Sequence, residues 1–117
     1  MQYLLMAYLR ENEWPTMTKE QQEQGMAAYM AYGEALRNAG VIKGSNRLRP
    51  TSDATTVRVT DGKSQVLDGP YAETKEQLAG YFLIDAPDLD AAISWASRCP
   101  AASHGIVEVR PIWSMQA

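Results

Sequence analysis

From Tyr3 to Leu9 every position is apolar or aromatic, so the segment sets no face aside for water. A short run of this kind reads as a strand covered on both sides and central in its sheet. Trp14-Pro15 breaks the run, and a helical period follows. Met26, Tyr29, Met30, Gly33 and Leu36 recur on one side, while Lys19, Glu20, Gln22, Glu23, Glu34 and Arg37 are mostly left for solvent. Thr18 is suited to cap the first free amides, and Gln21 to reach back in a capping box. Gly40 fits the left-handed position beyond the last turn. The pattern predicts one amphipathic helix over 18–39.

Residues 41–50 are less regular and read as one short edge strand. Thr55 to Thr60 then alternates, with Val57 and Val59 on one face and Thr56, Arg58 and Thr60 on the other. Asp61-Gly62 supplies the positive φ angles of a tight turn, and Ser64 to Leu67 returns as the partner strand. Tyr81-Phe82-Leu83-Ile84 predicts another buried strand. Pro87-Asp88 stops it and caps a second helix with the stripe Leu89, Ala92, Ile93 and Ala96, which Pro100 ends. Ile106 to Trp113 closes the chain as a strand, with Pro111 pointing to a sheet edge.

This order is α+β, and it matches the split βαβ arrangement of the ferredoxin-like fold with an extra hairpin strand. Two helices cover only one face of such a sheet. The other face keeps large apolar side chains, expected to include some of Tyr3, Leu5, Tyr81, Leu83 and Ile112. A second copy of the sheet is the economical cover, which predicts a homodimer.

The 117 residues suit a single domain, 1–117, and a chain this short gains noticeably from burial by self-association. A formal net charge of -3 with scattered basic residues argues against nucleic-acid binding and against attraction to a membrane surface. The apolar opening lacks a basic leader and is far short of the roughly 20 residues of a membrane span. One cysteine, Cys99, permits no internal disulfide, and a cytoplasmic location is the expectation. One histidine, His104, and one cysteine do not make the usual metal-ligand set, so no metal is expected. No phosphate-cradling glycine loop or nucleophile elbow is present, and no cofactor is expected.

The distinctive stretch is Asp68-Gly69-Pro70-Tyr71-Ala72-Glu73-Thr74-Lys75-Glu76, running on to Tyr81. With the opening Tyr3-Leu4-Leu5-Met6, the helix end Leu36 to Gly40 and the closing Val107 to Pro111, it resembles the YCII-related family. The closest match is the DGPF branch, described by the string DGPFAETKE, from which the stretch differs only at Tyr71. The resemblance implies a ferredoxin-like protomer in a dimeric α/β-barrel assembly. For activity it implies acid–base chemistry of elimination type, since one relative is a dehydrochlorinase acting on a chlorinated aromatic. It also implies a regulatory alternative, a non-catalytic accessory protein linked to an extracytoplasmic-function sigma factor.

Family members carry a recurring His and Asp. The resemblance puts Asp68 at the aspartate, but Tyr29 stands at the histidine position. An unperturbed tyrosine titrates near pH ~10, so Tyr29 does not replace a neutral-pH base without a large shift. Asp68 has two readings, a general base for a small-molecule ligand or an aspartate closing a turn ahead of Gly69-Pro70. Tyr71, Glu73 and Lys75 either border a ligand cleft, with Lys75 holding an anionic group, or form a solvated loop with weak ion pairs. Tyr29 is either a packed aromatic or a ligand contact between helix and sheet.

Overall fold

The computed structural model describes residues 1–114. Six strands and three helices follow one another as β1 (Gln2–Leu9), α1 (Lys19–Asn38), β2 (Ile42–Arg47), β3 (Thr55–Thr60), β4 (Lys63–Asp68), β5 (Gln77–Asp85), α2 (Leu89–Arg98), α3 (Ala101–His104) and β6 (Ile106–Pro111). The main sheet has the order β2-β5-β1-β6. Both β1 and β2 run antiparallel to β5, and β1 runs antiparallel to β6. The ferredoxin-like order is therefore present, with β3 and β4 inserted as a separate two-stranded sheet.

Local chemistry sets the element ends. The Thr18 amide donates to Gln21 Oε1 at 2.9 Å and the Gln21 amide to Thr18 Oγ1 at 3.1 Å, the reciprocal pair of a capping box. Asp88 caps α2 by accepting from the Ala91 amide at 2.9 Å. Asp61 and Gly62 carry φ angles of 53° and 75°, which turn β3 back onto β4.

Burial alternates along β1: Tyr3, Leu5 and Ala7 are buried, while Leu4, Met6 and Tyr8 are half-buried. The first set packs with Ile84 beneath Tyr32 and Leu36 of α1, Ala92 and Ala96 of α2, and Cys99 just past the end of α2. Of the residues expected in part on the open face, Tyr3 and Leu5 thus belong to the helix-covered one. Pairing through Leu4↔Leu83 and Met6↔Tyr81 puts Tyr81 and Leu83 on the open face with Leu4 and Met6.

The helix stripes are also rotated from those read in the sequence. Tyr32, Gly33 and Leu36 are the buried residues of α1, whereas Met30 is 69% exposed. In α2, Ala92 and Ala96 are buried but Leu89 and Ile93 lie in solvent, and Cys99 completes the buried stripe. A helix over a twisted sheet buries a narrower arc than its apolar residues span, so flanking methionine and isoleucine side chains remain outside.

The protomer measures 49 × 48 × 18 Å. A thickness of 18 Å holds one sheet and one helical layer, each about 10 Å deep, so among the described residues no second layer stacks on the open face. The radius of gyration is 16.3 Å, against about 13 to 14 Å for a compact chain of this length. The β3–β4 hairpin forms a sheet of its own and is almost wholly exposed.

Candidate functional site

The first half of α1 passes Arg47 at the end of β2, through Met26, and the helix finishes where the Val41 amide donates to the Leu36 carbonyl. It therefore runs back along the sheet toward the start of β2. Tyr32 meets Phe82 edge-on, with ring centroids 5.1 Å apart. One turn earlier, Tyr29 sits toward the next row of the sheet, which reads Arg47-Gly80-Ala7-Val107 across the four strands. Gly80 and Ala7 contribute almost no side-chain volume there. A Cβ on Gly80 would lie 2.8 Å from the Asn46 carbonyl oxygen, so only glycine lets β2 and β5 approach as they do.

Tyr29 is packed against the core, and its hydroxyl is buried without a hydrogen-bond partner among the described residues. Burial is the main reason its pKa is pushed up to about 12; the Cys99 thiol adds to the rise and the Arg47 cation opposes it. At neutral pH the group is thus a phenol, a donor and not a base. Tyr32 is also raised by burial, but its hydroxyl donates to the Trp95 carbonyl at 2.7 Å.

Arg47 flanks this position. Its guanidinium lies over the Trp14 ring, 5.5 Å from the centroid, and Nη1 approaches the Met26 sulfur at 3.7 Å. Among the described residues it makes no ion pair with a carboxylate. Trp14 is held by a short 3-10 turn, Trp14–Thr16, and its carbonyl accepts from Gln22 Nε2 at 2.8 Å. An unmatched phenol beside an unpaired guanidinium and an indole face forms a set suited to an oxygen-bearing aromatic or a small anion. No motif in the sequence marks Trp14 or Arg47; their pairing appears only once β2 runs beside the start of α1.

Asp68 ends β4, is exposed, and makes no side-chain hydrogen bond or ion pair among the described residues. The turn after it is closed by others: the Gly69 amide donates to the Ala54 carbonyl and Thr56 Oγ1 to the Gly69 carbonyl, both at 2.8 Å. Tyr71 is 81% exposed, and Glu73 and Lys75 are exposed on the same loop. The loop re-enters the sheet at Gln77, whose Oε1 accepts from the Glu11 amide at 3.1 Å. Just beyond, the Leu48 amide donates to the Ala79 carbonyl at 2.8 Å. The loop thus joins the sheet at the end where Tyr29 and Arg47 lie, but no hydrogen bond among the described residues links Asp68 to Tyr29.

Two surface depressions are present, and the first shares Trp14 and Met26 with the surroundings of Arg47. One of about 450 Å³ runs along the outer side of α1, lined by Trp14, Lys19, Glu23, Met26 and Met30 among others. The other, about 290 Å³, lies between α2 and β6 beside Ile93, Gly105 and Ile106. Among the described residues no cluster of three His, Cys, Asp or Glu side chains is placed to hold a metal ion, and no helix is long and apolar enough to cross a membrane.

Comparison with solved structures gives 5-chloro-2-hydroxyhydroquinone dehydrochlorinase from Burkholderia phenoliruptrix AC1100, in complex with 2,5-dihydroxybenzoquinone. It aligns with a TM-score of 0.56 over 99% of this chain and 96% of that one, at 16% identity, a likeness of fold. An uncharacterised protein of Rhizobium meliloti (strain 1021) is 40% identical over 114 residues, covering 96% of this chain and 92% of the relative. The family model of the YCII-related domain matches residues 1–116, and the chain belongs to that family.

Proposed function

We propose that this chain works as a cytoplasmic homodimer, of the DGPF branch, that binds a small oxygen-bearing aromatic molecule between α1 and the sheet. The Asp68–Glu76 loop borders that cleft, and Asp68 acts as the acid–base group of an elimination, lyase-like reaction. Tyr71, Glu73 and Lys75 contact the ligand from the loop, and Tyr29 from the helix. The observation that carries this reading is the Tyr29 hydroxyl, a buried donor that among the described residues is left unmatched beside an Arg47 without a carboxylate partner. A buried unmatched donor costs about 1–3 kcal/mol, and a ligand oxygen that accepts from it recovers that cost. The fold shared with a dehydrochlorinase supports the reaction class.

Calorimetric titration with 2,5-dihydroxybenzoquinone tests it. The unmodified chain is expected to bind, and Tyr29→Phe to bind about tenfold more weakly, the effect of one lost hydrogen bond near 1.4 kcal/mol. Equal affinity of the two proteins, or no binding by either, contradicts the reading.

A second reading has its own observation. Met26 and Met30 are exposed beside Trp14 along α1, an apolar strip away from the open sheet face. Such a strip suits a protein partner, in the manner of a non-catalytic accessory protein linked to an extracytoplasmic-function sigma factor. Stoichiometric co-purification of such a factor, lost in Met30→Glu, would favour it.

A further inference from the structure

Residues 69–76 form neither strand nor helix, yet this loop carries Tyr71, Glu73 and Lys75. An exposed loop keeps one place only where its ends are tied to something rigid. Its far end is tied by Gln77, whose Nε2 donates to the Thr74 carbonyl at 2.6 Å while its Oε1 accepts from the Glu11 amide at 3.1 Å. Its near end is tied where the Gly69 amide donates to the Ala54 carbonyl at 2.8 Å. Ala54 follows a short 3-10 turn, Thr51–Asp53, and its own amide donates to the Thr51 carbonyl at 3.0 Å. Thr51 in turn gives both of its donors to one side chain. Its amide donates to Glu11 Oε2 at 3.0 Å, and its hydroxyl donates to Glu11 Oε1.

These bonds form a closed ring, in which the backbone of Glu11 holds the far end of the loop and its carboxylate holds the near end. Glu11 lies two residues past Leu9, the end of β1, which runs between β5 and β6 in the sheet. It also lies in the turn that leads to Trp14, where the Glu13 amide donates to the Arg10 carbonyl at 3.1 Å. One residue thus joins the loop to the turn that brings Trp14 beneath Arg47.

We infer that Glu11 is a positioning residue, which sets the Asp68–Glu76 loop against the Tyr29–Arg47 end of the cleft. This rests on the ligand reading above and adds the residue that joins the two halves of that site. Hydrogen bonds to an ionised carboxylate are roughly twice as strong as neutral ones, so the Thr51–Glu11 link is the strong one in the ring. Both carboxylate oxygens are engaged by Thr51, so Glu11 acts through the loop and not on the ligand. Glu11→Gln keeps an oxygen for the Thr51 amide and offers an N–H to the Thr51 hydroxyl, whereas Glu11→Ala loses both bonds.

Nitrogen-15 relaxation over residues 69–76 and calorimetric titration with 2,5-dihydroxybenzoquinone test the inference. Loop order parameters are expected near the rigid value of about 0.85 in the unmodified chain and in Glu11→Gln, and below about 0.6 in Glu11→Ala, with β1 and β5 unchanged. Probe affinity is expected to fall about tenfold in Glu11→Ala, because binding then has to order the loop, and to be restored in Glu11→Gln. Thr51→Val removes only the hydroxyl and decides the question if Glu11→Ala does not fold: a loosened loop supports the role, and an unchanged one overturns it. A loop equally ordered with and without the Glu11 carboxylate, or equally loosened in Glu11→Gln and Glu11→Ala, also overturns it. A loosened loop with undiminished affinity overturns the positioning role and leaves the ligand reading standing. No binding by the unmodified chain overturns the ligand reading, and this role with it.

Discussion

Tyr32 donates its hydroxyl to the carbonyl of Trp95 across 2.7 Å, tying α1 to the last turn of α2. Carbonyls there have run out of helical donors, and the Cys99 amide turns to Ala96 instead. Tyr29, one turn before Tyr32, has the same group and no acceptor among the described residues. The two tyrosines therefore respond oppositely to loss of the oxygen. Tyr32→Phe is expected to destabilise by about 1–2 kcal/mol, because it leaves a carbonyl unpaired in the interior. Tyr29→Phe is expected to be neutral or slightly stabilising, because it removes an unmatched donor. Urea denaturation of the two variants against the unmodified chain checks both directions.

Alkaline titration gives a related prediction. Burial raises the phenol pKa of Tyr29 to about 12, above the unfolded value of 10.0. A folded pKa above the unfolded one gives stability that is complete below pH 10 and is lost as pH rises through 12. Tyr32 is raised in the same direction by the same cause. Tyrosinate absorbance from Tyr29 and Tyr32 should therefore lag, and stability should fall from pH 10 upward, less steeply in Tyr29→Phe. Ionisation of Tyr29 and Tyr32 near pH 10 in the folded protein contradicts this.

Gly80→Ala is expected to destabilise by about 1–3 kcal/mol, the range for forced overpacking. The new Cβ would stand 2.8 Å from the Asn46 carbonyl oxygen, a backbone atom that moves only if β2 moves. Because β2 carries Arg47, the variant should also lose affinity for an anionic aromatic probe. Thermal unfolding and calorimetry on one preparation read both effects.

Asp68→Asn separates the two readings of that residue. The side chain is exposed and unbonded among the described residues, so stability should change by no more than about 0.5 kcal/mol. Turnover or ligand binding should be lost. A variant that mainly unfolds would mean the carboxylate serves the turn instead.

Much of the fold was legible because its signals are local. The Thr18/Gln21 box, the Asp61-Gly62 turn and the Asp88 cap each depend on residues within three positions of one another. Facing was harder to read. From Tyr3 to Leu9 every position of β1 is apolar, so alternation does not say which parity meets the helices, and only the register separates Tyr3 and Leu5 from Tyr81 and Leu83 among the residues expected in part on the open face. Tyr32 escaped notice because Met26 and Met30 offered an equally apolar stripe rotated around the helix. The site was legible only in part. The Asp68–Glu76 loop is marked by its own string, whereas Arg47, Trp14 and Gly80 come together through strand register, which no short motif encodes.

Diffraction from crystals soaked in 2,5-dihydroxybenzoquinone tests the central claim most directly. The account predicts a probe oxygen at hydrogen-bond distance, about 2.7 Å, from Tyr29 Oη, with Arg47 beside it. A probe bound elsewhere, or a Tyr29 hydroxyl satisfied by protein and ordered water alone, would contradict it.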